Sequence, residues 1–167
     1  LREVYAAMRD KARSIKPSLQ VGWHIWHNNS FSPFYRAQQD LKQIASSSDF
    51  LKMVMYHNCA GERFAGYIDS VGATLYGDVP RQELLDFHYR VMNYAEGGYE
   101  RIPSTGWSAD YVYREAKRAV DGAAGTSTQI WPGIDIDIPT SATSSKSTPQ
   151  GTKAAVMAAF KAGAHGV

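Results

Sequence analysis

Asp135 and Asp137 stand two residues apart in the run Gly133-Ile134-Asp135-Ile136-Asp137-Ile138. In an extended strand alternate side chains share a face. The three isoleucines then take one side, and Gly133 with the two aspartates takes the other. Carboxylates act as acid, base or nucleophile in glycoside hydrolysis, which needs two of them across the scissile bond. Neighbours at i and i+2 sit about 6 to 7 Å apart at Cα, so one could react while the other tunes it. The usual pair, however, comes from different strands. A plainer reading makes the aspartates structural, an ion pair of Asp135 with Lys52 plus a loop cap, because a buried charge is expensive unless paired. Asp137 lies one layer higher and is the stronger candidate to meet a ligand.

Two further clusters could serve the same chemistry. His24-Ile25-Trp26-His27-Asn28-Asn29 is polar and aromatic, and so is Tyr56-His57-Asn58. His24, His27, Asn28, Tyr56, His57 and Asn58 are suited to sugar hydroxyls, and Trp26 to stacking on a sugar ring. A histidine satisfied in the core and a tyrosine with a bonded hydroxyl are the ordinary alternatives. His24 and His27 are not same-face neighbours, so they make a poor metal pair, and no metal or other cofactor is expected. A metal site of His24, His57 and Asp137 stays open as a third reading. Glu62 could be a loop carboxylate, but a helix first-turn acid is the more ordinary role. Tyr76, Tyr99, Trp107 and Trp131 could wall a sugar site or simply pack. Cys59 has no obvious base beside it, which argues against a cysteine nucleophile.

The elements that must position these residues follow from hydrophobic periodicity. Short apolar runs at 19–26, 50–57 and 129–138 read as strands, and a fourth begins at His165. Helices are expected over 2–15, from Ser32-Pro33 with Phe34, Ala37, Leu41 and Ile44 at helical spacing, near Pro80, near Ser108, and from Thr148-Pro149. A capping hydroxyl followed by proline is a helix start signal. Gly163 falls where a C-terminal glycine belongs. Within the strands, Val21, Trp23 and Ile25 oppose Gly22, His24 and Trp26. Likewise Leu51, Met53 and Met55 oppose Lys52, Val54, Tyr56 and Asn58. The three strands thus agree in placing their polar residues on one face.

Strands alternating with helices imply right-handed βαβ units and a parallel sheet. No glycine-rich phosphate loop occurs, which argues against an open nucleotide-binding sheet. A closed (β/α)8 barrel takes about 250 residues, and this chain has 167. The expectation is therefore the C-terminal half of a TIM barrel: one α/β domain over 1–167, truncated at both ends, with its site at the C-terminal strand ends.

Composition narrows the partners. The net charge is +2 with no basic run, so nucleic acid has no electrostatic footprint here. No apolar stretch reaches the roughly 18 residues of a membrane span. Cys59 is the only cysteine, so no intrachain disulfide forms and the compartment is not readable.

The segments Val21-Gly22-Trp23-His24-Ile25-Trp26-His27-Asn28, Leu51-Lys52-Met53-Val54-Met55-Tyr56-His57-Asn58 and Trp131-Pro132-Gly133-Ile134-Asp135-Ile136-Asp137-Ile138-Pro139 resemble bacterial glycoside-hydrolase-like barrel proteins. The resemblance implies a sugar-related hydrolase. In retaining barrel families the acid/base ends the fourth strand and a nucleophilic Glu ends the seventh. If the strand at Gln129 is the seventh, this sequence has Asp where those families have Glu. Hydrolysis of a glycosidic bond, with Asp137 or Asp135 as nucleophile or base, is the leading expectation. A carbohydrate-binding barrel without catalysis is the second, and a metal-dependent hydrolase the third.

Overall fold

The computed structural model describes residues 2–138 and 141–167. Its centre is a three-stranded parallel sheet in the order β1 (Gly22–Ile25), β2 (Phe50–Val54) and β3 (Gln129–Gly133). The register sets Lys52 opposite both His24 and Trp131. The alternation of strand and helix is present. The half-barrel expectation is not: among the described residues the sheet is open and has three strands.

Two local causes limit the sheet. Pro132 lacks the N–H a longer ladder would use. The chain then turns at Asp135, whose Oδ1 accepts from the Ile138 N–H at 2.9 Å. The expected strand through Ile138 therefore ends at Gly133, and the face assignment beyond it fails: Ile136 is 73% exposed. The expected fourth strand at His165 makes one backbone bond, from its N–H to the Ile130 carbonyl at 2.9 Å. The Ile130 N–H is taken by His165 Nδ1 instead of a backbone oxygen, so the ladder does not propagate.

On β1 and β2 the two-face reading holds at most positions, but Val54, expected with the polar residues, is buried. Ile25, Leu51, Met53 and Met55 are buried, with Ile130 of β3 beside them. They pack on Phe31, Phe64, Ile68, Leu85, Val112 and Ala116. Fully burying a large apolar side chain contributes roughly 1.5–3 kcal/mol, so this face holds the layers together. On the opposite face Gly22, His24, Phe50, Lys52, Trp131 and Gly133 are all at least partly exposed.

The helices cover the apolar face. They are α1 (Arg2–Ile15), α2 (Asn28–Phe31), α3 (Pro33–Gln38), α4 (Leu41–Ala45), α5 (His57–Thr74), α6 (Arg81–Met92), α7 (Ile102–Thr105), α8 (Ala109–Gly122) and α9 (Pro149–Lys161). Ser32, Ser108 and Thr148 cap α3, α8 and α9 through their side chains, with proline at the first turn of α3 and α9. The helix expected across 33–44 is two helices. Gln39 is extended, and Asp40 caps α4 by accepting from the Gln43 N–H at 2.9 Å. β2 ends at Val54, so His57 and Asn58 belong to the first turn of α5 rather than to a strand. α3 and α8 are joined by charge: buried Glu115 accepts from Arg36 at 2.9 Å and from Arg118 at 2.8 Å.

Candidate functional site

β1 feeds directly into α2, and β2 into α5, at the C-terminal edge of the sheet. A cleft of about 560 Å³ opens there, lined by Trp26, His27, Asn28, Asn29, Tyr35 and Arg63. Trp26 follows directly on β1 and is 70% exposed. It makes an edge contact with His24, with ring centroids 5.6 Å apart. His27, the next residue, is 1% exposed. Its ring lies 5.4 Å from Phe31 and 6.0 Å from Tyr111, and neither ring nitrogen has a hydrogen-bond partner in the protein. Burial, aided by the nearby Arg63 charge, pushes its pKa down to about 3. His27 is therefore a neutral imidazole at ordinary pH, with one donor and one acceptor nitrogen.

Tyr56, between β2 and α5, joins this cleft to the open face of the sheet. Its hydroxyl accepts from Lys52 Nζ at 2.7 Å. The Arg63 guanidinium carbon stands 5.7 Å from its ring centroid, and His27 lies 6.2 Å away. Gly133 makes the arrangement possible: a Cβ there would fall 2.8 Å from Lys52 Cε. His24, across the register from Lys52, is exposed, and its pKa is lowered by partial burial and by the Lys52 charge.

Lys52 makes no ion pair with Asp135; its bond is to Tyr56. Asp135 is buried, and its carboxylate is fully engaged elsewhere. One oxygen accepts from Ile138, and the other from the Cys59 N–H in the first turn of α5 at 3.1 Å. Asp135 is thus an N-terminal cap supplied from another loop, favourable because a helix start carries unsatisfied N–H groups and positive dipole charge. That occupation leaves it ill suited to act as nucleophile or base. Asp137 is exposed and left-handed at φ +64°, a conformation it shares among described non-glycine residues with Asn93.

His57 and Asn58 are buried in the first turn of α5, where both His57 ring nitrogens and Asn58 Nδ2 are unpartnered. Burial lowers the His57 pKa, and Asp135 opposes that shift. They do not line the cleft. Among the described residues no three His, Cys, Asp or Glu side chains converge as a metal site would require. Cys59 is buried and its thiol pKa is pushed up to about 12, chiefly by burial, which removes the thiolate a nucleophile needs. Glu62 lies within α5 and receives a hydrogen bond from the Ser144 hydroxyl. Trp107 is core, Tyr99 donates to Asp69, Tyr76 packs against the core, and Trp131 stacks on Phe50. None of these four is a wall of the cleft.

Of the residues expected at the site, Trp26, His27 and Asn28 meet in one cleft, with Tyr56 and Lys52 adjoining it. Tyr35 and Arg63 are cleft residues that periodicity did not single out. The signal for Tyr35 was available: the Ser32-Pro33 helix start sets it in the first turn of α3. Arg63 comes two turns after Tyr56 along α5, a placement visible only once the helix is known to start at His57. No helix among the described residues is long and apolar enough to cross a membrane. No protein-family model, curated protein or solved structure matches the chain.

Proposed function

We propose that this chain binds a carbohydrate in the cleft at the C-terminal ends of β1 and β2. The observation that supports this reading above the others is Trp26, a large apolar ring 70% exposed at a strand end, beside Asn28 and Asn29 in a cleft of about 560 Å³. Sugars present an apolar C–H face and a rim of hydroxyls. An open indole suits the face, and amides with a neutral imidazole suit the rim, since each has donors and acceptors. Ligand sites join a mostly apolar wall to a few placed polar groups in this way.

Titration of the chain with neutral and acidic oligosaccharides, read by tryptophan fluorescence and calorimetry, tests the reading. Trp26→Ala is expected to weaken binding about tenfold or more, roughly 1.4 kcal/mol, without lowering the melting temperature. A folded chain that binds no saccharide in the panel overturns it.

Hydrolysis is the second reading, and Asp137 is what favours it. An exposed carboxylate held in a left-handed conformation costs of order 1 kcal/mol, and such strain clusters at functional sites. Asp137→Asn should then abolish glycosidase activity while sparing sugar binding. Equal rates for variant and parent would remove Asp137 from the chemistry.

A further inference from the structure

We infer that the saccharide of this cleft is anionic, bearing a carboxylate or a sulfate on its ring, and that the Arg63 guanidinium is its counter-charge. The inference rests on the carbohydrate reading and narrows it to a substrate class.

Arg63 has no ion-pair partner among the described residues. It lines the cleft and is partly buried. Among the described residues no hydrogen bond engages its five N–H donors and no carboxylate lies within ion-pairing distance; its neighbour is the face of Tyr56. Lys52, bonded to the hydroxyl of the same tyrosine, has no carboxylate partner among the described residues either. No Asp or Glu is among the described residues that line the cleft, and the nearby Asp135 is occupied by two backbone N–H groups. Among the described residues, Arg63 is the one charged side chain on the cleft wall, and no carboxylate there pairs with it.

His27 is the second, independent observation. It borders the same cleft, it is 1% exposed, and both its ring nitrogens are unbonded. A buried polar group without a partner is costly. One explanation is a ligand that supplies the partner. Asn28 and Asn29, also on the cleft wall, add amide groups for hydroxyls.

A neutral sugar could accept from Arg63 with its hydroxyl oxygens but would leave the guanidinium charge uncompensated. Its planar fork fits carboxylate and other oxyanions bidentately. A hexuronate or a sulfated hexose offers that oxyanion together with the C–H face for Trp26 and hydroxyls for the amides.

The test is a titration of the full chain with paired probes: trigalacturonate and triglucuronate, their methyl esters, and a galactan trisaccharide with and without sulfate. The acidic member of at least one pair is expected to bind about tenfold tighter than its neutral counterpart. Arg63→Gln should erase that preference, so that acidic and neutral members bind alike, and Arg63→Lys should retain part of it. Preference for sulfate over carboxylate supports the same chemistry and identifies its source. Equal affinity for acidic and neutral members overturns the inference and leaves the carbohydrate reading intact. An acid preference that survives Arg63→Gln overturns the role of Arg63. A folded chain that binds none of the six probes overturns both readings.

Discussion

Arg36 and Arg63 both reach partly buried ground, and their surroundings differ. Arg36 meets Glu115, which also receives Arg118, so two cations share one buried carboxylate. The trio ties α3 to α8. Arg63 meets a tyrosine face and an imidazole with no bonded nitrogen, and among the described residues it forms no ion pair. Desolvating a charge is repaid only by close partners. The first region is thus satisfied internally, as a structural element must be. The second is left unsatisfied at the mouth of a cleft, where an external group can complete it. The same side chain is a brace in one place and a recognition group in the other, and the difference lies in what surrounds it.

The comparison breaks first at Glu115. Glu115→Ala leaves Arg36 and Arg118 without their buried partner and is expected to destabilise the fold by about 3 kcal/mol in urea unfolding. A loss below about 1 kcal/mol would make the trio a surface feature. The next largest effect is on pH. His27 is neutral in the folded chain, with its pKa lowered to about 3, whereas the unfolded chain protonates it near 6.5. Below pH 6.5 the unfolded state therefore binds more protons. Its contribution is complete above that pH and is lost as the pH falls toward 3, by up to about 1.4 kcal/mol per unit. His57 and His88 shift in the same direction. Melting temperatures across pH 7 to 4.5 should fall, and His27→Phe should flatten the slope; an unchanged slope would exclude His27 as its source.

A smaller effect is expected at Asp135. Asp135→Ala removes the acceptor for Cys59 and Ile138, and about 1–2 kcal/mol of stability should go with it. A similar loss of saccharide affinity at full stability would instead assign Asp135 to the ligand. The smallest effect, and the sharpest contrast with Glu115, is at Arg63. Arg63→Met should leave stability within about 1 kcal/mol of the parent, on either side, because an unpaired charge is replaced by apolar volume. Destabilisation by 2 kcal/mol or more would make Arg63 another structural brace.

Short-range physics was legible in the chain itself. The capping hydroxyls of Ser32, Ser108 and Thr148 act within three residues of themselves. Gly163, at φ +95°, follows α9 where its missing Cβ is needed. The alternation of β1 and β2 sorts Leu51, Met53 and Met55 from Lys52 because a pleated strand has period two. Trp26, His27 and Asn28 fall together because they are consecutive, just past the end of β1. Tertiary structure decided where each polar group finds its partner. Asp135 lies 76 positions from Cys59, and Arg36 lies 79 from Glu115. No local pattern encodes such pairings. The expected Lys52–Asp135 pair failed for that reason, and the half-barrel with it: periodicity identifies a strand's faces, but the number of strands and the end of each depend on which distant group claims the next backbone N–H.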